Sequence, residues 1–266
     1  MADLLKRSLA PVTDQAWAEI DAEAARTLRN NLSARALVDM TGPSGAETAA
    51  VNLGRTETLG ASAVDGVDCA LRQVLPLLEA RTSFRLSLSD LDDISRGAKT
   101  PELGPVVQAA RKCALFEESA LYHGIQDAGI EGICGAATLD AVPMATSAGD
   151  FVEMTQDALG RLREAAIGGP YAMVLGDAPF RAIKAGDQKG YPLLRRIEEL
   201  LGGSVHWSPA LEKGVVLSQR GGDYEMTVGQ DLSIGFAGQN GDTLNLFVVE
   251  SFTFQVLEPA AAVVLG

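Results

Sequence analysis

The strongest structural constraint in the sequence is a long alternation of apolar and polar residues near its carboxyl end, which reads LNLFVVESFTFQV. One face of this segment is apolar, at Leu244, Leu246, Val248, Phe252, Phe254 and Val256. Glu250 alone interrupts that face, and the opposite face is polar, at Asn245, Ser251, Thr253 and Gln255. Because strand side chains point to alternate sides, the pattern predicts a long strand with one buried face.

Other segments predict a mixture of further strands and amphipathic helices. Shorter strands are expected at YAMVL, VHW, VVLSQ, YEMTV and DLSIGF. Helices are expected at residues 14–33 after an N-cap at Thr13, from Pro101 or Pro105 to Ala128 before Gly129, and at 191–201. A further helix is expected at 150–167, opened by a capping box of Asp150 and Glu153. Residues 41–75 are rich in glycine and poor in large apolar groups, so this extended stretch needs a neighbour to pack against.

Composition limits the classes of function. The chain has 266 residues, 47% of them hydrophobic, with no internal repeat or low-complexity linker, which favours one continuous body. A net charge of −13 disfavours nucleic acid as the main partner, because phosphate binding requires a basic surface. The opening MADLLKRSLAPVTD lacks the apolar core of a signal peptide, and no apolar run is long enough to cross a bilayer. We therefore expect a cytoplasmic protein without a membrane partner.

Few residues suggest catalysis or metal binding. His123 and His206 lie in different predicted elements, and no nucleophile elbow, zinc-protease helix or phosphate-binding glycine loop is present. Glu117 and Glu118 precede His123 by six and five positions, whereas the di-iron motif of helix bundles places a glutamate three positions before histidine. The sequence therefore predicts neither an enzyme nor a metal site.

Three smaller features each allow two interpretations. The glycines of Arg220–Asp223 fit a tight turn between strands, although their backbone amides could also cradle an anion. The acidic cluster of Asp90, Asp92 and Asp93 fits a helix start better than a cation site. The three cysteines lack CxxC spacing and are interpreted as core residues, at Cys69, Cys113 and Cys134.

Longer motifs follow one another from end to end of the chain. They are LLKRSLAPVTDQAWAEIDAEA, VDMTGPSGAE, SFRLSLSDLDDISRG, IGGPYAMVL, YPLLRRIEELLGG, SQRGGDYEMTVGQDLSIGF and ESFTFQVLEP. In sequence and order these motifs resemble the encapsulin shell proteins of family 1, the linocin or bacteriocin-type nanocompartment subunits. A shared string as long as GQDLSIGF is far more specific than a short catalytic signature.

The resemblance implies an α+β fold of the tailed-bacteriophage major-capsid-protein type, with a peripheral domain, an axial domain and an extended loop. It divides the chain into 1–43, the N-terminal helix and start of the peripheral domain; 44–75, the extended loop; 76–129, the peripheral domain with its spine helix; 130–219, the axial domain; 220–258, peripheral-domain strands; and 259–266, a C-terminal segment.

In function, the resemblance implies a structural subunit that self-assembles into a closed icosahedral shell. Such shells hold cargo enzymes, of ferritin-like or dye-decolourising-peroxidase type, through a C-terminal targeting peptide, and serve iron storage or the response to oxidative stress. The alternatives are a prophage-type capsid subunit, or a bacteriocin or peptidase as older labels of the family suggest. The net charge of −13 counts against a capsid that packages nucleic acid.

Site residues follow from the same resemblance. The cargo-peptide groove corresponds to Leu28, Arg35, Asp39 and Ile234. Alternatively, Leu28 continues the apolar stripe of its helix, and Arg35 and Asp39 form an ion pair at the helix end.

Two further correspondences concern the pore and a cofactor. The segment lining the fivefold pore corresponds to Asp187, Gln188 and Lys189, which could equally form a solvated loop. Some members of the family bind flavin against a tryptophan, but Ser89 stands at the matching position, so no stacking surface and no cofactor are expected.

Overall fold

The structure is a computed structural model that describes residues 4–60, 64–188 and 190–266. Its helices are α1 (Asp14–Arg29), α2 (Leu88–Ser95), α3 (Gly104–His123), α4 (Ile133–Ala136), α5 (Ala148–Glu164), α6 (Asp177–Ala185) and α7 (Leu193–Leu201). Its strands are β1 (Asp39–Thr41), β2 (Ala50–Thr58), β3 (Ala70–Pro76), β4 (Leu78–Ser87), β5 (Gly124–Ile125), β6 (Ile130–Glu131), β7 (Tyr171–Leu175), β8 (Asp187–Gln188), β9 (Tyr191–Pro192), β10 (Val205–Trp207), β11 (Gly214–Ser218), β12 (Tyr224–Val228), β13 (Ser233–Asn240), β14 (Thr243–Val256) and β15 (Ala262–Leu265).

Helix α1 begins where the sequence predicts and ends earlier. The Thr13 hydroxyl accepts a hydrogen bond from the Ala16 amide, which confirms the predicted N-cap. The helix stops at Arg29 instead of Ser33, where the side-chain amide of Asn31 donates to the Thr27 carbonyl. Residues beyond Arg29 are therefore free to leave the helix axis and cross the molecule.

Helix α3 also ends before its predicted limit, at His123 instead of Ala128. Gly124 has a φ of 84°, and a Cβ atom there would lie 2.6 Å from the Ile130 carbonyl oxygen. Only glycine fits this turn, so the chain leaves the helix here. The predicted stop, Gly129, instead follows a separate 3-10 turn at Gln126–Ala128.

The start of α5 corrects another prediction. The capping box is formed by Ser147 and Asp150, each accepting a hydrogen bond from the other's backbone amide, and not by Asp150 and Glu153. The helix therefore begins at Ala148. Helix α6 was not predicted, whereas α7 and all five predicted short strands are confirmed.

Strand β14 is the centre of a five-stranded sheet and confirms the long strand predicted from the alternation. It pairs with β4 along one edge, and with β13 and β12 in succession along the other, while β1 continues the sheet in parallel beside β12. The inner face of the sheet packs against α1, α2 and α3 to form one hydrophobic core.

A second, four-stranded sheet has the order β10, β7, β11, β15 and packs with α5, α6 and α7 in another core. The segment 259–266 supplies its edge strand, so the end of the chain is part of this sheet. The three cysteines are free thiols. Cys113 is buried as predicted, whereas Cys69 and Cys134 are only partly buried.

Candidate functional site

The segment after α1, residues 30–41, is called the arm here, and a fully buried carboxylate of α3 anchors it. Glu118 accepts hydrogen bonds from the backbone amides of Ser33 and Ala34 at 2.7 and 2.8 Å. The hydroxyls of Ser33 and Ser208 donate to it at 2.5 and 2.6 Å. Burial raises the pKa of Glu118, and the four donors oppose that shift by stabilising the anion.

The neighbouring Glu117 anchors the next residue of the arm. The Arg35 guanidinium donates to both oxygens of Glu117, at 2.8 and 2.6 Å, and to Asp231 at 2.8 Å. Burial works against the guanidinium charge, yet these two carboxylates raise the pKa of Arg35 above its ordinary value. Two adjacent glutamates therefore fasten the arm, and neither belongs to a predicted site. In the sequence, the only sign of these contacts was the pair of adjacent acidic residues within a helix that is rich in apolar residues.

The two groove residues of the arm thus have partners inside the subunit. Arg35 does not pair with Asp39, so the alternative interpretation of these two residues as an ion pair is wrong. Asp39 accepts a hydrogen bond from the Gly222 amide at 2.5 Å. The turn at Arg220–Asp223 links β11 to β12, as the turn interpretation requires, and one of its amides also binds an anionic group, the carboxylate of Asp39.

The two apolar groove residues both pack in the core beside the five-stranded sheet. Ile234 is only 4% exposed, and Leu28 is partly buried against the same cluster. Arg35 binds Asp231, three residues before Ile234. The structure therefore places Leu28 and Ile234 in one core and links Arg35 to the segment just before Ile234, while Asp39 lies at the Gly222 turn. Their role in docking a peptide stays a prediction.

Strands β2 and β3 form a hairpin that pairs with no other strand in the described residues. The described residues of this hairpin, 50–60 and 64–76, are exposed along most of their length. Leu71 is 57% and Val74 51% exposed, and Leu59, Val64 and Val67 are similarly open. Such a concentration of exposed large apolar side chains is unusual for a subunit that acts alone.

The predicted pore segment lies in the short hairpin of β8 and β9, where Asp187 is exposed. Tyr191 in β9 donates a hydrogen bond to Glu199 of α7 at 2.6 Å, which holds this hairpin on the helix. Gln188 belongs to β8, and Lys189 lies outside the described residues. The pore assignment stays a prediction.

The remaining candidate residues have structural partners. The backbone amide of Ser89 donates a hydrogen bond to the hydroxyl of Ser87, which is the N-cap residue of α2. Asp90 lies in the first turn of the same helix. His123 hydrogen-bonds the Ala210 carbonyl, and His206 the Ser204 hydroxyl. Among the described residues, no three or more His, Cys, Asp or Glu side chains are arranged to hold a metal ion. No helix of this part of the chain is long and apolar enough to span a membrane.

Comparison with known proteins relates this architecture to a family. A family model described as "Encapsulating protein for peroxidase" matches residues 2–253. The type 1 encapsulin shell protein of Rhodospirillum rubrum is 40% identical over 273 residues, an alignment that covers 100% of this chain and 96% of the relative.

Two solved structures are similar in fold. The virus-like particle from Pyrococcus furiosus has a TM-score of 0.67 at 17% identity, over 94% of this chain and 98% of that one. The capsid of Myoviridae phage XM1 has a TM-score of 0.54 at 12% identity, over 86% and 89%. The predicted phage-capsid fold class is confirmed. Since the family model and the Rhodospirillum relative both match nearly the whole length, the chain belongs to the encapsulin shell-protein family.

Proposed function

We propose that many copies of this chain assemble into a closed icosahedral shell that encloses a cargo enzyme in the cytoplasm. Membership of a family whose relatives are named shell proteins makes the chain a structural protein and not an enzyme. The exposed β2–β3 hairpin is the observation that best supports assembly, because its large apolar residues Leu71 and Val74 are exposed and belong to neither core of the subunit. A neighbouring copy would bury these side chains, as is expected for the extended loop of a capsid-type subunit.

The cargo is proposed to bind through a C-terminal peptide at the groove residues Leu28, Arg35 and Ile234. An apolar side chain of the peptide would rest on Leu28, which is only partly buried in the subunit. The phrase "for peroxidase" in the family description supports a peroxidase-type cargo and a role in oxidative stress over iron storage by a ferritin-like cargo.

The purified protein is expected to elute as a particle of megadalton order, although one subunit has a mass of only 27.9 kDa. Negative-stain microscopy should show hollow spheres, and the ultraviolet absorbance ratio should indicate particles free of nucleic acid. A stable species of subunit mass would contradict shell formation. Nucleic acid inside the particles would favour the prophage-type capsid, and proteolytic activity in cargo-free particles would favour the peptidase.

Leu28→Gln is expected to reduce cargo capture at least about tenfold and leave particle size unchanged, since one lost apolar anchor costs about 1–3 kcal/mol. The reporter is a fluorescent protein fused to the C-terminal segment of whichever protein co-purifies with native shells. Ala22→Gln, at an exposed position of α1, is the matched control. Equal capture by Leu28→Gln and wild type would exclude Leu28 from the groove. Ile234 is unsuited to this test because its substitution would also disrupt the core.

A further inference from the structure

Two buried glutamates lie beside a single cation in the interior of the subunit. Glu117 on α3 is 0% exposed and Glu250 on β14 is 1% exposed. The same guanidinium nitrogen of Arg35, Nη2, lies 2.6 Å from Glu117 Oε2 and 3.5 Å from Glu250 Oε2. Both carboxyl groups therefore occupy one site, where a single positive charge cannot neutralise two anions.

Glu250 has an unusual environment for a carboxylate. Neither of its oxygens accepts a hydrogen bond from any group in the described part of the chain. Its cross-strand neighbour on β4 is the apolar Ala80. An ionised carboxylate without donors is costly in the interior, and two carboxylates that share a site resist ionising together. The geometry therefore favours a proton on this pair.

Among the described residues, the other groups around the pair do not supply a second cation. Asp231 adds a further acid near Arg35, at 49% exposure of its side chain, and α3 contributes the buried thiol of Cys113. On β4, Thr82 faces Cys113, while Arg81 lies on the outer face of the sheet, 3.5 Å above the ring of Phe247. Within the described part of the chain, this site thus contains one guanidinium group and three carboxyl groups.

We propose that Glu250 carries a proton, which it donates in a hydrogen bond to the Glu117 carboxylate, and that loss of this proton in alkaline solution loosens the packing of α3 against β14 and the arm. In the protonated pair the neutral Glu250 donates its hydroxyl hydrogen to the Glu117 carboxylate, which still binds Arg35. When this proton passes to solvent, two buried anions face one cation. Separation of β14 from α3, with entry of water, relieves the repulsion between the two carboxylates.

The direction of the pH effect follows from linkage. Burial, and then the charge of Glu117, raise the pKa of Glu250 well above its ordinary value. A carboxyl group whose pKa is higher in the folded than in the unfolded chain stabilises the fold fully below the unfolded pKa. That contribution declines as the pH rises toward the folded pKa. Over this interval the unfolding constant increases by up to about tenfold per pH unit for one proton.

Infrared spectroscopy of the assembled protein tests the shared proton directly. At neutral pH in deuterium oxide, the spectrum of wild type minus Glu250→Gln should contain the carbonyl band of a protonated carboxylic acid. The spectrum of wild type minus Glu117→Gln should contain the same band, because the remaining Glu250 then ionises beside Arg35. Glu79→Gln, at an exposed glutamate of β4, should leave the band unchanged.

Each other outcome overturns part of the proposal. Absence of the band from the Glu250→Gln difference spectrum shows that the pair carries no proton at neutral pH. Persistence of the band in Glu117→Gln itself shows that burial alone protonates Glu250, without sharing.

Hydrogen exchange tests the loosening. At alkaline pH, amides of α3 and the arm should exchange at least about tenfold faster in wild type than in Glu250→Gln, whose amide can replace the shared hydrogen bond. At neutral pH the ratio of the wild-type rate to the Glu250→Gln rate should be smaller than at alkaline pH, because the stabilisation by the buried proton declines as the pH rises. Comparison at equal pH cancels the intrinsic pH dependence of exchange, and a ratio that does not rise with pH would overturn the proposed loosening.

Discussion

Replacing Glu118 with alanine is expected to lower the free energy of unfolding of the subunit by about 3–5 kcal/mol. The substitution leaves four donors without their acceptor, two of them backbone amides of Ser33 and Ala34 that cannot turn elsewhere. Each buried donor without a partner costs about 1–3 kcal/mol. A typical domain is stable by only about 5–15 kcal/mol, so this loss is a large fraction of the total.

The measurement is guanidinium unfolding followed by the fluorescence of the two tryptophans, Trp17 and Trp207, at a fixed protein concentration. Glu131→Ala is the matched control, because this exposed glutamate of β6 should change stability by less than about 0.5 kcal/mol. Glu118→Gln should lie between the two variants, since one amide oxygen still accepts hydrogen bonds. A loss below about 1 kcal/mol in Glu118→Ala would show that the arm is held mainly by other contacts.

Leu71→Asp is expected to abolish particle formation and leave the subunit folded. Leu71 is 57% exposed and lies outside both cores, so the folded chain loses little when it is replaced. In an assembled shell, by contrast, the substitution would bury a carboxylate at every copy of the contact. We expect the particle fraction in size-exclusion chromatography to fall at least about tenfold, because burying an unpaired charge costs several kcal/mol. The far-ultraviolet circular dichroism should match that of wild type.

Thr58→Asp is the control for this experiment. It adds the same charge to the same hairpin, at an exposed polar residue paired with Ala70. Particles should still form. Particles at wild-type yield in Leu71→Asp would contradict a role of the hairpin in assembly, and loss of particles in both variants would show that charge alone prevents it.

Local pattern was sufficient to predict much of the fold. The alternation in β14 and the N-cap hydroxyl of Thr13 before α1 depend only on residues that are close by in the sequence. Both could therefore be predicted from the sequence alone. The end of α3 was missed because the requirement for Gly124 comes from the Ile130 carbonyl, in the strand to which the chain turns back after the helix. Helix α6 was missed because its sequence, DAPFRAIKA, is short and contains a proline.

The site was less predictable than the fold. Glu250 stood out as a break in the apolar face of β14, but its cation, Arg35, is more than two hundred residues away along the chain. Glu117 and Glu118 were considered only as metal ligands, on the basis of their spacing from His123. Their partners come from the arm, which a pattern within a helix does not reveal. The predicted groove residues came from family resemblance, and no local pattern distinguishes docking from packing at Ile234.

The isolation of the β2–β3 hairpin has a consequence for the fate of subunits that find no partners. Because the hairpin contributes to neither core, its hydrogen bonds can open without disturbing the rest of the fold. An extended, open segment is what a protease active site accepts, so surplus subunits would be cut there first. Subunits whose hairpins are covered would be spared. The same strands could thus mark orphan copies for degradation and limit their accumulation.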